Sequence, residues 1–556
     1  MKENAKSLVR ASAFSVVVVL FISILNSFFQ PVWLDWNNFY TTKGFYEEKQ
    51  NTIETVFLGP STILSCVNPM LLYEKFGICA YNLSTEQQPM GASYYWLEET
   101  YRLHSETLKT VFLGVSELRN EPSEKAFHKA VDNMKPTKAK YNALLEYNEG
   151  NVKDALSNMI PLVSYHNRWE NDLSREDFEK HNYNPVNGSR GYSFSSRVCG
   201  WLSDPALKMM KLALDEKAEP TKLVESSVEY LDRMVKFCNE KGLKLVLLKA
   251  PANNWNSSHH NAVKKLADSY KLEFYDFNFS PYYDEISFVD LFDTSDGCIH
   301  MNYYGASKFT NWIGKYLVNK CGATDVRNDS KYDFLKDQQK EFNKRYYRQI
   351  ELQAIEDISD YLLNVISENT TVMIMVKASA EEKLTEKQRD DFAKFGLEKL
   401  SNLRFRDSYL AVIENGKVTY EELKANKTAE SKTPLVYGGM LPGGIKYEIK
   451  SGGTDHGNVA SCKINGKEVC FNKRGINFVV YDNEHKNVLD VTWFDTFNES
   501  KRDVYKTEYT EMVRNEEIAS QVKDNKLFQK VLERYNLLEE TKKAEAERIS
   551  AKNKQK

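Results

Sequence analysis

A serine, a histidine and an aspartate, the residue types that nucleophilic catalysis uses, lie near the two ends of residues 50–322. Ser61 follows the apolar run Val56-Phe-Leu58 after a Gly-Pro turn, and His300 precedes a helical segment. A serine hydroxyl needs a general base, usually histidine, and that base needs an acid to hold its tautomer. Asp296, or alternatively Asp293, is close enough to His300 in the sequence to be that acid. The pattern predicts a serine nucleophile; the alternative for Ser61 is a helix cap.

A parallel sheet is the element that would bring these residues together. Strands are predicted at Val56–Gly59, Val111–Val115, Leu243–Ala250 and Phe274–Phe277. Continuous apolar strands that alternate with helical stretches indicate a parallel sheet with helices on both faces. The sequence therefore predicts an α/β domain at residues 50–322, which a mostly polar insertion interrupts at about 121–200.

The motifs of this domain resemble those of the SGNH (GDSL-type) hydrolases. Gly59-x-Ser61 follows the first strand, and Asp296-Gly-Cys-Ile-His300-Met-Asn302-Tyr-Tyr-Gly-Ala306 stands before the last helix. The resemblance is closest to the membrane-anchored bacterial branch that includes D-alanine transfer proteins and alginate-type O-acetyltransferase partners. It implies a flavodoxin-like three-layer fold, with Ser61 as nucleophile and His300 as base. The implied reaction is hydrolysis of an acyl ester or acyl transfer to a glycan hydroxyl.

The resemblance also implies an oxyanion hole. The N–H of Ser61 is its first member, Ser116 stands where the family has asparagine, and Gly91 is the candidate for the family's glycine. Asp296 lies four residues before His300 instead of the family's three. Two alternatives stay open: an unusual oxyanion hole, as in transferase branches, or a silent site.

Candidates for substrate binding lie in the insertion and beside His300. His166, Arg168 and Trp169 form a compact cluster that could clamp a substrate, with arginine for an anionic group and tryptophan for a sugar face. The alternative is a structural loop with Trp169 as its plug. Asn302 is a further candidate for substrate contact.

The N-terminus carries a membrane signal. Residues Ala11–Phe29 contain no charge and are about as long as a bilayer core is thick, while Lys2, Lys6 and Arg10 precede them. The positive-inside rule predicts a cytoplasmic stub and single anchor at 1–31, with the rest outside the cell membrane. The alternative is a cleaved signal peptide.

The C-terminal half predicts a second, β-rich domain. A charged helical connector is expected at 331–369, a strand-rich domain at 371–500, and a helix with a charged tail at 520–556. Turns are expected at Asn415-Gly416, Gly438-Gly439, Gly443-Gly444, Gly452-Gly453 and Asn465-Gly466.

This second domain resembles the interleukin-like EMT inducer (GG) fold. The matching pieces include Met373–Lys377, Arg406–Val412, Lys450–Gly453 and Arg474–Asp482. The resemblance implies a compact, β-sandwich-like domain that binds glycan, for which Asp407, Arg474 and Asn477 are polar candidates. Each could equally satisfy buried backbone groups, and the domain could be a rigid spacer.

Composition and the remaining motifs narrow the function classes. The chain has 75 basic and 78 acidic residues and a formal net charge of −3, so it lacks the basic field of a nucleic-acid-binding protein. We expect no metal and no cofactor, and we expect the adjacent His259 and His260 to lie in a surface loop. Cys462 and Cys470 flank a turn, where a disulfide is an option.

The sequence therefore favours a membrane-anchored, outward-facing SGNH-type acyl esterase or O-acetyltransferase that acts on cell-envelope polysaccharide. Its GG domain would hold the glycan, and analogy suggests a membrane-bound O-acyltransferase as acyl donor. The alternative is a catalytically silent, glycan-binding scaffold of the envelope.

Overall fold

The computed structural model describes residues 2–31, 38–170, 173, 189–196, 214–286, 288, 293–296, 298–426 and 432–502. The described chain forms two compact units, which meet in sequence between Phe342 and Asn343. The helix and charged tail predicted at 520–556 lie outside the described residues.

The first unit contains fourteen described helices and five described strands. The helices are α1 (Lys2–Phe29), α2 (Asn38–Glu47), α3 (Ser61–Cys66), α4 (Pro69–Phe76), α5 (Met90–His104), α6 (Glu124–Val131), α7 (Lys138–Tyr147), α8 (Val152–Asn158), α9 (Pro161–Ser164), α10 (Glu225–Lys241), α11 (Ser257–Tyr270), α12 (Tyr282–Glu285), α13 (Tyr303–Cys321) and α14 (Asp333–Phe342). The strands are β1 (Thr55–Leu58), β2 (Ala80–Asn82), β3 (Thr110–Gly114), β4 (Lys244–Lys249) and β5 (Glu273–Asp276). Short 3₁₀ helices span Ser116–Arg119, His166–Trp169 and Ser330–Tyr332.

The five strands of the first unit form one parallel sheet in the order β2-β1-β3-β4-β5. This is the strand order of flavodoxin-like sheets, in which ligands bind beyond the carboxyl ends of the strands. The four predicted strands are confirmed, whereas β2, with only three residues, was not foreseen.

Alternate side chains of the strands reach opposite faces of this sheet. Val56 and Val111 pack into one hydrophobic cluster with α5 and α10. Phe57 and Phe112 are stacked with ring centroids 5.0 Å apart, and Phe112 contacts Tyr316 of α13 on the other face. Helices therefore cover both faces, as the uninterrupted apolar strands predicted.

The N-terminal helix α1 is long and apolar enough to cross a membrane. Its span Ser12–Phe29 has a mean hydropathy of 2.2, and none of its residues is buried. By length and composition, the helix fits a membrane anchor or a signal sequence.

The second unit is built around one nine-stranded sheet. Its helices are α15 (Arg348–Gln353), α16 (Ile358–Val365), α17 (Glu386–Lys394) and α18 (Glu398–Ser401), and a π-helical turn spans Asn343–Tyr347. Its strands are β6 (Thr370–Ala378), β7 (Ser408–Glu414), β8 (Lys417–Lys424), β9 (Leu435–Leu441), β10 (Ile445–Gly453), β11 (Val459–Ile464), β12 (Lys467–Glu468), β13 (Gly475–Asp482) and β14 (Asn487–Phe494).

Strand β6 lies at the centre of the second unit. It pairs with β13 along its length, with β7 over its first half and with β10 at its end. Helices α16, α17 and α18 cover one of its faces, and strands β9, β10 and β11 cover the other. The β-rich domain is confirmed, and the residues expected as a connector fall partly in its core.

The turn predictions are confirmed at three positions and wrong at two. Asn415-Gly416, Gly443-Gly444 and Asn465-Gly466 all have positive φ and close hairpins. Gly438-Gly439 and Gly452-Gly453 instead lie inside β9 and β10. These glycines serve close packing: a Cβ on Gly439 would meet the Tyr447 ring, and one on Gly453 would lie 2.0 Å from Arg406 O. Cys462 and Cys470 are free thiols.

Candidate active site

The turn between β1 and α3 places Ser61 beyond the carboxyl end of the sheet. Gly59 has φ +136°, and a Cβ there would lie 2.9 Å from Gly114 Cα at the end of the neighbouring strand β3. Only glycine combines this backbone conformation with this approach. The turn ends at Pro60, and Ser61 is the first residue of α3.

A buried glutamine holds this turn in place. Gly59 N donates to Gln88 Oε1 at 2.8 Å, which also accepts from Ser93 Oγ at 2.8 Å. Gln88 Nε2 donates to Leu83 O at 2.8 Å. Gln88 is not recognisable from the sequence, because its position before Pro89 and α5 is that of an ordinary loop residue.

The loop before α13 presents His300. Thr294 and Met301 form an isolated β-bridge, and Ser295 N donates to His300 O at 2.9 Å. Asn302 caps α13 by accepting from Tyr304 N and Gly305 N at 2.9 and 3.1 Å. Asn302, a predicted substrate contact, is fully buried in this capping role.

Ser61, His300 and Asp296 form a continuous hydrogen-bonded chain. His300 Nε2 lies 2.8 Å from Ser61 Oγ, and His300 Nδ1 lies 2.5 Å from Asp296 Oδ2. Asp296 Oδ1 also accepts from His300 N at 2.8 Å, which fixes the carboxylate against the histidine backbone. The four-residue spacing therefore still brings the carboxylate to the ring nitrogen that faces away from the serine.

The alternative acid, Asp293, has a different role. It is buried and its Oδ2 accepts from Lys308 Nζ of α13 at 2.7 Å. Its ion pair holds the loop to the helix.

The predicted oxyanion residues occupy two different environments. Ser116 begins the short 3₁₀ helix after β3, the strand next to β1. Gly91 lies in the first turn of α5, where a Cβ would meet the Tyr230 ring at 2.8 Å. That contact gives Gly91 a packing role, so an oxyanion role for it stays a prediction without structural support.

The segment 189–196 lies against both halves of the site. Ser193 N donates to Leu64 O of α3 at 3.0 Å, and Ser195 O accepts from Tyr303 N of α13 at 2.6 Å. Phe194 and Tyr303 have ring centroids 5.9 Å apart. These two half-buried aromatic rings are candidates for a substrate wall that sequence analysis missed; Tyr303 directly follows the His-x-Asn motif, which could have pointed to it.

A group of buried and half-buried ionisable side chains lies at the carboxyl ends of β3 and β4 and the start of α11. Lys249 Nζ donates to Ala250 O at 2.6 Å, and burial lowers the pKa of Lys249 to about 8. Burial also raises the pKa of Glu117. Arg119 lies over Trp255 and within 3.2 Å of His259 Nε2, whose pKa burial lowers to about 4.

The expectation for His259 and His260 was wrong. Both lie in the first turn of α11, where His259 takes part in a capping box with Asn256. His260 Nδ1 lies 2.8 Å from buried Asp276 Oδ2. The pair is part of the packed end of the sheet because α11 turns these adjacent side chains to different partners.

The cluster of His166, Arg168 and Trp169 lies beside α1. Arg168 Nη1 donates to Phe29 O at 3.0 Å, and His166 Nδ1 lies 2.8 Å from Val163 O. Trp169 is exposed, so it is not the plug of a loop. A substrate clamp stays a prediction.

The glycan candidates of the second unit are engaged by the protein itself. Asp407 accepts from Asn426 N and Arg404 N at 2.9 and 3.0 Å. Asn477 is buried and bonds both ways with Lys473. Arg474 makes a bidentate pair with Asp495 at 3.1 and 2.7 Å. These contacts agree with the alternative that each residue satisfies internal groups.

Comparison with known proteins gives one family match. Residues 332–417 match the family model of the interleukin-like EMT inducer, so the chain contains such a domain. The match overlaps the predicted domain over 371–417 and starts before it. No curated protein matches the chain.

A solved structure is also similar to part of the chain. It is the crystal structure of a candidate acylhydrolase from Bacteroides fragilis, 12% identical, covering 50% of this chain and 94% of that one, with a TM-score of 0.23. A TM-score this low supports no inference about this chain.

Proposed function

We propose that this chain is a membrane-anchored, extracytoplasmic SGNH-type acyl esterase or O-acetyltransferase that acts on cell-envelope polysaccharide. The observation that carries the proposal is the chain from Ser61 Oγ through both ring nitrogens of His300 to Asp296. Two residues 239 positions apart meet in this arrangement. Along this hydrogen-bonded chain, Ser61 has the position of the nucleophile, His300 that of the base and Asp296 that of the orienting acid.

The reaction follows from these contacts. Ser61 Oγ attacks the ester carbonyl carbon while His300 Nε2 takes the hydroxyl proton, and Asp296 stabilises the resulting imidazolium. The backbone N–H of Ser61 contributes to stabilising the oxyanion. Collapse breaks the ester bond, the leaving alcohol takes the proton from His300, and an acyl-serine remains.

The second half-reaction decides between the two activities. His300 deprotonates either water, which gives hydrolysis, or a sugar hydroxyl, which gives acyl transfer, and Ser61 recovers its proton. A transferase needs an acyl donor outside the cell, and a membrane-bound O-acyltransferase is the partner class we propose. The exposed helix α1 supports the membrane location, and the interleukin-like EMT inducer domain is the candidate for holding the glycan.

The test compares the full chain with Ser61→Ala on p-nitrophenyl acetate and on an O-acetylated polysaccharide. Ser65→Ala is the matched control, since Ser65 is buried on the same helix and its hydroxyl points to Thr62 O. We expect Ser61→Ala to lose at least about 100-fold in kcat/KM, and Ser65→Ala to keep its rate. Equal rates for wild type and Ser61→Ala would remove Ser61 as nucleophile.

One observation favours the silent scaffold as a second candidate. The Asp296 side chain is 42% exposed, so water competes for the carboxylate that must orient His300. The scaffold would be identified by two results together. The full chain and Ser61→Ala would both bind glycan, and the full chain would turn over neither substrate.

A further inference from the structure

An exposed apolar ridge runs along the second part of the described insertion. Its members are 40 to 66% exposed: Val152, Leu156, Ile160, Val163 and Trp169. Val152 and Leu156 are one helical turn apart and share a face of α8, and Ala155 is the buried residue of this helix. Five large apolar side chains in 18 residues are unusual for a surface in contact with water.

The insertion that carries this ridge is attached to the last turn of α1. Leu162 N donates to Asn26 Oδ1 at 3.1 Å, and Arg168 Nη1 donates to Phe29 O at 3.0 Å. Gln30 Nε2 donates to Asp132 O at 2.9 Å in the same insertion. Residues 12–24 of α1 are exposed and residues 25–29 are half-buried, so the protein surface begins at that level.

The length of α1 places this level at the membrane surface. Ser12–Phe29 has 18 residues, which rise about 27 Å in a helix, close to the thickness of about 30 Å of a hydrocarbon core. With Arg10 at one interface, Phe29 lies at the other. Val163 and Trp169 flank the residues that bond to Asn26 and Phe29, and tryptophan is enriched at this depth.

We infer that the ridge of Val152, Leu156, Ile160, Val163 and Trp169 is a membrane-contact surface embedded in the interfacial layer of the bilayer beside α1. The inference rests on the proposed anchoring function of α1. A single helix leaves a domain free to tilt, whereas a helix and a ridge together fix its orientation. In this assignment Trp169 contacts lipid, and Arg168 holds the insertion to the anchor.

The experiment uses the full chain in phosphatidylcholine nanodiscs that contain a phosphatidylcholine with a diazirine near its headgroup. After illumination, lipid-labelled peptides are quantified by mass spectrometry. We expect label on 12–29 and on 152–169, the latter at least fivefold above the peptide that contains Val318, an exposed apolar residue of α13.

Two variants test the side chains themselves. Val163→Ser with Trp169→Ser should lower the label on 152–169 at least threefold and leave that on 12–29 unchanged, whereas Val318→Ser should change neither. Label on 12–29 alone, or cross-links between two copies through 152–169, would overturn the membrane ridge and leave the anchor standing. Label on neither segment would refute the anchor, and the ridge with it.

Discussion

At the level of single residues, His300 is held from both sides. Its Nδ1 and backbone N both face Asp296, while its Nε2 faces Ser61. A partly exposed side-chain contact of this kind adds little to folding stability. The value of the Asp296 contact must therefore lie in the tautomer and orientation of the ring, which leads to a test that separates rate from stability.

Asp296→Asn should lower kcat/KM for an ester by about 10² to 10⁴-fold, since an amide no longer selects the tautomer with the proton on Nδ1. The melting temperature should barely change. Steady-state kinetics and calorimetry on the same sample measure both.

Asp293→Asn is the matched control for this variant. Asp293 is buried and paired with Lys308, so its loss should lower the melting temperature. A rate for Asp296→Asn within twofold of wild type would exclude Asp296 from the mechanism.

Lys249 gives a prediction about pH. Burial depresses its pKa from 10.5 to about 8, although the Asp276 charge acts the other way. The folded state therefore binds fewer protons than the unfolded state between about pH 8 and 10.5. The contribution of Lys249 to the free energy of unfolding therefore rises with pH across that window. Below the window, the charged lysine lowers the free energy of unfolding by its full amount, about 3 kcal/mol at about 1.4 kcal/mol per pKa unit.

Lys249→Met should accordingly be more stable than wild type at pH 7, and its advantage should shrink towards pH 10.5. Arg119, Glu117 and Cys66 also act on Lys249, so the difference between the two proteins is the quantity to measure, by denaturant titration at each pH. An advantage that does not change with pH would mean that Lys249 is not a buried cation.

At the level of elements, the site depends on the sharp turn between β1 and α3. Gly59→Ala would put a Cβ 2.9 Å from Gly114 Cα at a φ of +136°. Backbone strain of this kind costs about 1 to 3 kcal/mol, and the close contact adds to it. We expect a fall in the unfolding free energy of at least about 2 kcal/mol and a loss of ester hydrolysis, because Ser61 moves with the turn.

Gly322→Ala provides the matched control. Gly322 has φ +61°, and a Cβ there meets nothing within 4 Å. It should lose only about 1 kcal/mol and keep full activity. If both variants behave alike, the approach to Gly114 is not what requires glycine.

The strands of the first unit and the residues of the hydrogen-bonded chain Ser61, His300 and Asp296 could be predicted from the sequence because their signals are local. Apolar runs followed by Gly, Ser or Asp mark where a buried strand meets solvent. Asn302 was predicted to contact substrate, although its place before an apolar helix is that of a cap. Gln88 and Phe194 could not be found in this way, since their importance depends on contacts with Gly59 and Tyr303. Gly439 and Gly453 resemble turn residues until their neighbours are known.

At the level of the whole molecule, the boundary between the two units does not coincide with the point at which the sequence changes from charged and helical to strand-rich. The charged stretch 331–369 resembles a connector. Yet Leu352, Ile358, Tyr361, Leu362 and Val365 are buried in the core of the second unit. The charged residues of this stretch lie on the exposed face of the helices, and their number made the apolar, buried face difficult to recognise in the sequence.

Buried polar contacts tie the same helices to the end of the sheet. Tyr361 Oη donates to Asp490 at 2.6 Å, and Gln353 Nε2 donates to it at 3.0 Å. Arg502 donates to Ile355 O at 2.7 Å and to Leu352 O at 2.9 Å. Removal of the helices would therefore break the hydrogen bonds that satisfy Asp490 and Arg502 in the folded unit.

A fragment of residues 343–502 should therefore fold as a cooperative unit, whereas residues 371–502, which contain the domain predicted at 371–500, should not. Loss of α15 and α16 exposes one face of the central sheet, including Ile374 and Phe478. Thermal unfolding followed by circular dichroism should give a sharp transition for the longer fragment and none for the shorter one.

A double substitution in the longer fragment, Tyr361→Phe with Gln353→Ala, is the intermediate case. It should fold but melt earlier, because Asp490 keeps its apolar surroundings and loses its two donors. Equal melting of all three proteins would show that the helices are a connector after all.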